Sequence, residues 1–162
     1  MEAKKQTEKI LNNLAKTEQF AGECLEWLRN KKNGLATKAT LVALEGDLGS
    51  GKTTFTQAAA RALGISDRVT SPTFVIMKNY TTPKKNQGQP LVGVWENLIH
   101  IDCYRLNGSE DLHRLGWEEM AANKNNLILV EWPERVGDLI SFPTLKIKFE
   151  VIGETSRKII YD

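Results

Sequence analysis

The sequence predicts an α/β fold with a mainly parallel central sheet, helices on both faces and antiparallel strands at the edges. Three observations carry that expectation. Thr40 to Glu45 and Leu127 to Val130 are continuous apolar runs without alternation, as strands covered on both faces must be. Each run is followed by sequence of helical character. Leu145 to Ile152 and Lys158 to Tyr161 alternate apolar and polar residues, the pattern of a closing antiparallel hairpin.

Taken in chain order, Ile10 to Leu14 reads as a short strand. From Thr17, placed as an N-cap, Phe20, Ala21, Cys24, Leu25 and Leu28 recur at helical spacing until the polar break at Lys31 to Gly34. Thr40 to Glu45 is the first buried strand. The Ala-rich stretch Lys52 to Leu63 is a helix stopped by Gly64. Phe74 to Tyr80 and Leu98 to Asp102 read as strands. Between them "TTPKKNQGQPLVGVWEN", residues 81–97, holds two prolines and two glycines and reads as an exposed insertion loop or loose hairpin. Glu110 to Ala122 is expected to be one helix. With 162 residues, no internal repeat and no low-complexity tract, residues 1–162 read as a single domain.

Composition excludes several classes. A net charge of +2 is too mild to mark a nucleic-acid-gripping surface. The opening "MEAKKQTEKI" lacks an apolar signal core, and no apolar run approaches the roughly 20 residues that span a bilayer. A cytoplasmic location is the expectation, with Cys24 and Cys103 as two buried thiols in a reducing compartment rather than a disulfide.

The chemistry concentrates in "GDLGSGKTT", Gly46 to Thr54, where Gly46, Gly51, Lys52 and Thr53 satisfy G-x-x-x-x-G-K-[ST] between a strand and a helix. A turn around Gly46, Gly49 and Gly51 can aim backbone N–H groups inward where side chains would block a phosphate. The helix that follows adds its positive end. The expected nucleotide-binding set is therefore Gly46, Asp47, Leu48, Gly49, Ser50, Gly51, Lys52, Thr53 and Thr54, in a P-loop NTPase domain. Lys52 is placed to reach the terminal phosphates of a nucleoside triphosphate, and the Thr53 hydroxyl to sit on Mg²⁺.

Further residues fall at the strand ends where parallel sheets gather their ligands. "SPTF", Ser71 to Phe74, brings Thr73 to where a γ-phosphate would be sensed. "HIDCYRL" ends a strand at Asp102, which would position or deprotonate an attacking water or stand one water away from magnesium. "LILVEWPE" ends a strand at Glu131, in the place of a metal-organising acid with Thr53, and puts Trp132 beside it. An acid at a strand end can also be a plain solvated cap or a helix N-cap, His100 a packing or hydrogen-bonding residue rather than a ligand, and Trp132 simply core. A guanine-reading N-K-x-D is lacking, since "NKNN" at Asn123 to Asn126 has no Asp. Arg105, Arg114 and Arg135 are scattered singly rather than grouped as in a lid over an acceptor. A small-molecule P-loop kinase is the alternative reading. Phosphate release without an acceptor would separate the two.

Together and in this order, Gly46 to Thr54, Ser71 to Phe74, His100 to Arg105, the Leu115-Gly116-Trp117 region and Val130 to Trp132 resemble the TsaE family of small bacterial P-loop ATPases. The departures are Ser50, where the family pattern has Ala, a longer stretch from Thr81 to Asn97, and a short extra polar lead before the N-terminal strand. The resemblance implies ATP with Mg²⁺ as cofactors and slow ATP hydrolysis in threonylcarbamoyladenosine modification of tRNA. It implies as partners the threonylcarbamoyl transferase TsaD and its companion TsaB, with tRNA met only through that complex. It also carries over a nucleotide-side arginine at Arg157. The role implied is a partner-bound switch in which hydrolysis resets the transferase for further turnover.

Overall fold

The computed structural model describes residues 6–32, 36–84 and 91–162. Among the described residues, seven strands form one sheet: β1 (Thr7–Leu11), β2 (Thr40–Glu45), β3 (Met77–Thr81), β4 (Asn97–Asp102), β5 (Asn126–Glu131), β6 (Leu145–Val151) and β7 (Arg157–Tyr161). Their order across the sheet is β1-β7-β6-β2-β5-β4-β3. β6, β2, β5 and β4 run parallel at the centre, while β7 and β1 on one flank and β3 on the other pair antiparallel. The sheet is thus mixed, with a parallel centre and antiparallel edges as the sequence predicts, the hairpins β6–β7 and β3–β4 turning the chain back on itself at the two flanks.

The pleat sorts the central strands into two cores. Val42, Leu44, Leu98, Leu127, Leu129, Leu145 and Ile147 pack with α1 (Leu14–Lys32) and α2 (Lys52–Ala62). Ala43, Ile99, Ile101, Ile128 and Val130 pack with Leu112 of α3 (Ser109–Arg114), Trp117 of α4 (Trp117–Ala122) and Val136 and Ile140 of a 3₁₀ segment, Pro133–Ile140. Helices therefore cover both faces. Burying each Leu or Ile in these layers contributes roughly 1.5–3 kcal/mol relative to exposure. Cys24 and Cys103 are free and buried, and burial pushes both thiols up to about 12. Among the described residues no helix is long and apolar enough to cross a membrane.

Several boundaries differ from expectation for local reasons. α1 begins at Leu14, not at Thr17, because Asn13 is the cap: its Oδ1 accepts from the Lys16 amide at 2.9 Å. Thr17 lies inside the first turn. The single helix expected over Glu110 to Ala122 is two, broken where Gly116 takes φ 84°. β3 starts at Met77 rather than Phe74, since Pro72 to Ile76 forms a turn in which Ile76 has φ 67°. The polar break after α1 lies partly, and the tip of the 81–97 segment wholly, outside the described residues.

The described parts of 81–97 correct the expectation of an exposed loop. Leu91, Val92 and Trp95 are buried, and the Trp95 indole N–H donates to Thr40 Oγ1 at 2.9 Å. Thr82 Oγ1 donates to the Trp95 carbonyl, and the Thr82 amide to Glu96 O at 2.9 Å. Through these contacts the described residues between β3 and β4 reach the end of β2 opposite the glycine-rich loop. Trp95→Ala is expected to destabilise the fold by about 3–5 kcal/mol, read from the urea midpoint. A shift below about 1 kcal/mol would mean that the segment is not part of the core.

Candidate functional site

The glycine-rich loop joins the C-terminal end of β2 to the first turn of α2, and its shape requires glycine. Gly46, Gly49 and Gly51 have φ of 142°, 74° and 107°. A Cβ on Gly46 would lie 2.6 Å from the Phe149 carbonyl oxygen on β6 and 2.6 Å from Ser50 Oγ, so the loop is pinned against the neighbouring strand. The Ser50 amide donates to Asp47 O at 3.1 Å, which tightens the turn. The first helical bond of α2 runs from the Phe55 amide to Gly51 O at 2.9 Å. The amides of Lys52, Thr53 and Thr54 therefore have no acceptor within the helix and present donors at its positive end.

Lys52 is 4% exposed and folds back over its own loop. Its Nζ donates to Gly46 O at 2.6 Å, Asp47 O at 2.9 Å and Ser50 Oγ at 3.4 Å, and stands 4.4 Å from the centroid of the Trp132 ring. Burial pushes this ammonium below the usual lysine value, against the opposing pull of Glu131, Asp102, Glu134 and Asp47. A buried cation held by neutral partners gains on meeting an anion, because charge-assisted bonds are roughly twice as strong as neutral ones.

Register brings the acids together. Asp102 at the end of β4 is paired with Glu131 at the end of β5. Side-chain alternation puts both on the sheet face covered by α1 and α2, beneath the start of α2. Both are 3% exposed. Thr53 Oγ1 donates to Glu131 Oε1 at 2.9 Å. Thr73 Oγ1 donates to Asp102 Oδ2 at 2.6 Å and lies 2.6 Å from Ser71 Oγ, while Asp102 Oδ1 accepts from the Tyr104 amide at 2.9 Å. The turn carrying Thr73 is anchored by the Asp102 amide on Ile76 O at 2.8 Å. A β-branched residue at φ 67° stores strain, of order 1–3 kcal/mol.

Leu48, Gly49, Ser50, Gly51, Lys52, Thr53 and Thr54 line one cavity of about 220 Å³ with Ser71, Thr73, Asp102, Glu131 and Arg157. Gly46 and Asp47 shape it through their carbonyls on Lys52, and Trp132 stands behind Lys52. Trp132 has φ 56° and packs 5.0 Å from the Tyr104 ring. Arg157, on β7, donates from Nε to Ser50 O at 3.0 Å and from Nη2 to Gly49 O at 3.2 Å. A second cavity, of about 310 Å³, shares Gly51, Thr54 and Arg157 and extends past Asn12, Asn13 and Phe149. A larger one of about 340 Å³ between α1 and β7 contains none of these residues. The residues expected from sequence thus converge. Sequence reasoning gave Ser71 no role of its own, while His100, two residues before Asp102 on the same face and expected to pack or hydrogen-bond, is buried and bonded to Glu131.

The donor set suits a magnesium nucleotide. A hydroxyl and two carboxylates offer hard oxygen ligands, and magnesium characteristically takes one or two carboxylates, phosphate oxygens and waters rather than a closed protein cage. Among the described residues no group of three or more His, Cys, Asp or Glu could hold a metal ion by itself. The glycine-rich turn, with Gly46, Gly49 and Gly51 all at positive φ before the free first-turn amides of α2, fits phosphate.

A family model described as "Threonylcarbamoyl adenosine biosynthesis protein TsaE" matches residues 7–159. Among similar curated proteins, the tRNA threonylcarbamoyladenosine biosynthesis protein TsaE of Bacillus subtilis is 37% identical over 127 residues, 78% of this chain and 71% of its own length. That of Rickettsia prowazekii is 35% identical over 118 residues, 72% and 73% of the two chains. The crystal structure of Bacillus subtilis YdiB superposes with a TM-score of 0.64 at 31% identity, covering 97% of this chain and 84% of that one.

Proposed function

The chain belongs to the TsaE family of tRNA threonylcarbamoyladenosine biosynthesis, and from that premise we propose that it is a magnesium-dependent ATPase acting as a partner-bound switch in that modification. The observation that carries the reading is the ring of hydroxyl–carboxylate pairs, Thr53 with Glu131 and Thr73 with Asp102, facing the glycine-rich loop across one cavity. In this reading the domain is a P-loop NTPase.

Loop amides and the first turn of α2 bind the β- and γ-phosphates, and Lys52 exchanges its carbonyl partners for phosphate oxygens. Trp132 limits where the ammonium can go. Thr53 and Glu131 hold magnesium, which when bound neutralises the phosphate charge. Asp102 orients the attacking water and accepts its proton, or acts one water away from the metal. Thr73, hydrogen-bonded to Asp102, senses the γ-phosphate, and the strained turn at Ile76 passes that state to the exposed Phe74 and Val75. Arg157 braces Gly49 and Ser50 beside the nucleotide. The second cavity accepts the sugar and base.

The switch acts on the transferase TsaD with its companion TsaB in the cytoplasm, and tRNA is met through that complex. The test is a reconstituted modification reaction. Without this chain, product is expected to stop near one turnover per transferase; with it and ATP, turnover continues. Phosphate release by the chain alone is expected to be slow and to rise when the transferase pair is added. Sustained turnover in the absence of ATP would overturn the reading. Thr73→Val is expected to reduce partner-stimulated phosphate release by about tenfold or more, about 1.4 kcal/mol in barrier, with nucleotide affinity little changed. Full stimulation of that variant would remove Thr73 from the switch.

A further inference from the structure

His100 is wholly buried on β4, on the sheet face beneath α2 that also carries Asp102 and Glu131. On that face it is flanked by the polar Asp102 and by Lys78, its register partner on β3, and by Leu98 and the register partner Leu129, both apolar core residues. His100 brings two ring nitrogens: Nε2 lies 2.7 Å from Glu131 Oε1, whereas Nδ1 is buried and has no hydrogen-bond partner among the described residues. Leaving a buried polar atom unpaired is costly. A residue kept in spite of that cost points to the bond it does make.

That bond has a geometric consequence. A carboxylate oxygen only accepts, so Nε2–H donates, and Glu131 Oε1 receives a second donor from Thr53 at 2.9 Å. Two donors from opposite sides, one on the sheet and one on α2, fix the rotation of the carboxyl group. Among the described residues no donor reaches Oε2. Oε1 is thus tied to the protein twice, and Glu131 lines the cavity beside the glycine-rich loop. The arrangement parallels the partners that hold metal-binding carboxylates in place.

We propose that His100 is a positioning residue that orients Glu131 so that Oε2 faces the magnesium nucleotide. The inference rests on the reading of Glu131 as the metal-organising acid. It assigns His100 no contact with substrate.

The test uses isothermal calorimetry with a non-hydrolysable ATP analogue, measured once with magnesium and once with EDTA. The readout is the ratio of the two dissociation constants, which reports the metal rather than the fold. A ratio of about tenfold or more, at least 1.4 kcal/mol, is expected for the native protein. His100→Gln places an amide N–H near the position of Nε2 and is expected to keep the ratio within about twofold. His100→Asn places its amide near Nδ1, out of reach of Glu131, and His100→Leu offers no donor. Both are expected to lose most of the ratio while binding in EDTA stays within about twofold. If the leucine variant fails to fold, the Gln and Asn pair decides the matter. Equal ratios for that pair, whether both kept or both lost, overturn the inference. Glu131→Gln is measured alongside. If it keeps the full ratio, the metal role of Glu131 fails. If it loses the ratio while every His100 variant keeps it, only the positioning role fails.

Discussion

Lys52→Ala is expected to weaken nucleotide binding by roughly 30- to 150-fold, about 2–3 kcal/mol for a lost hydrogen bond to a charged group. Phosphate release should fall further, by about 10²–10³-fold at saturating ATP, as it does when a preorganised donor to developing charge is removed. The structure explains why both effects are expected from one side chain. Lys52 supplies the charge, and it also ties Gly46 and Asp47 to the start of α2 through their carbonyls. Without it the cradle loses its clamp as well as its cation. The fold itself should persist, because Lys52 contributes its stem and ammonium to the loop rather than to either core cluster. Lys52→Met, which keeps the stem against Trp132, should be less destabilising than Lys52→Ala but no better at binding. Calorimetry showing native affinity in either variant would mean that the nucleotide lies elsewhere.

The elements that frame this loop were legible because their signals are local. β2 was read to the residue, Thr40 to Glu45, from an apolar run with polar flanks, and α2 followed from an Ala-rich stretch closed by Gly64. The places that escaped are those where a distant contact decides. Phe74, Val75 and Ile76 look like the start of a strand by composition. The turn over Pro72 and the Asp102 amide on Ile76 O instead leave Phe74 83% and Val75 59% exposed. Leu91 and Trp95 sit in turn-rich sequence that suggests solvent, and their burial depends on distant partners such as Thr40 and Lys32 for Trp95. For the candidate site, strand ends indicated which acids would gather. Pairing and distance could not be read there: that Glu131 takes Thr53 and His100 on one oxygen depends on register and on the height of α2 above the sheet.

Glu131→Ala carries the second large effect, expected in the response to magnesium rather than in binding of the nucleotide as such. Truncation removes the carboxylate that Thr53 and His100 address, so Mg²⁺-dependent phosphate release should drop by about 10²-fold or more. Affinity for the nucleotide in EDTA should change little, because the loop amides and Lys52 remain. The same truncation leaves His100 buried with neither nitrogen paired, and a stability loss of about 1–3 kcal/mol should accompany it. The two consequences can be separated with Glu131→Gln, whose amide can still accept from Thr53 and His100 through its oxygen. That variant should regain most of the stability and none of the magnesium response, since an uncharged amide is a poor partner for a hard dication. A magnesium titration of phosphate release, run beside thermal melting for both variants, reads the two effects apart. If magnesium stimulated the alanine variant as it does the native protein, the carboxylate would be structural only, and the cation would have to be held by Thr53 and Asp102 alone.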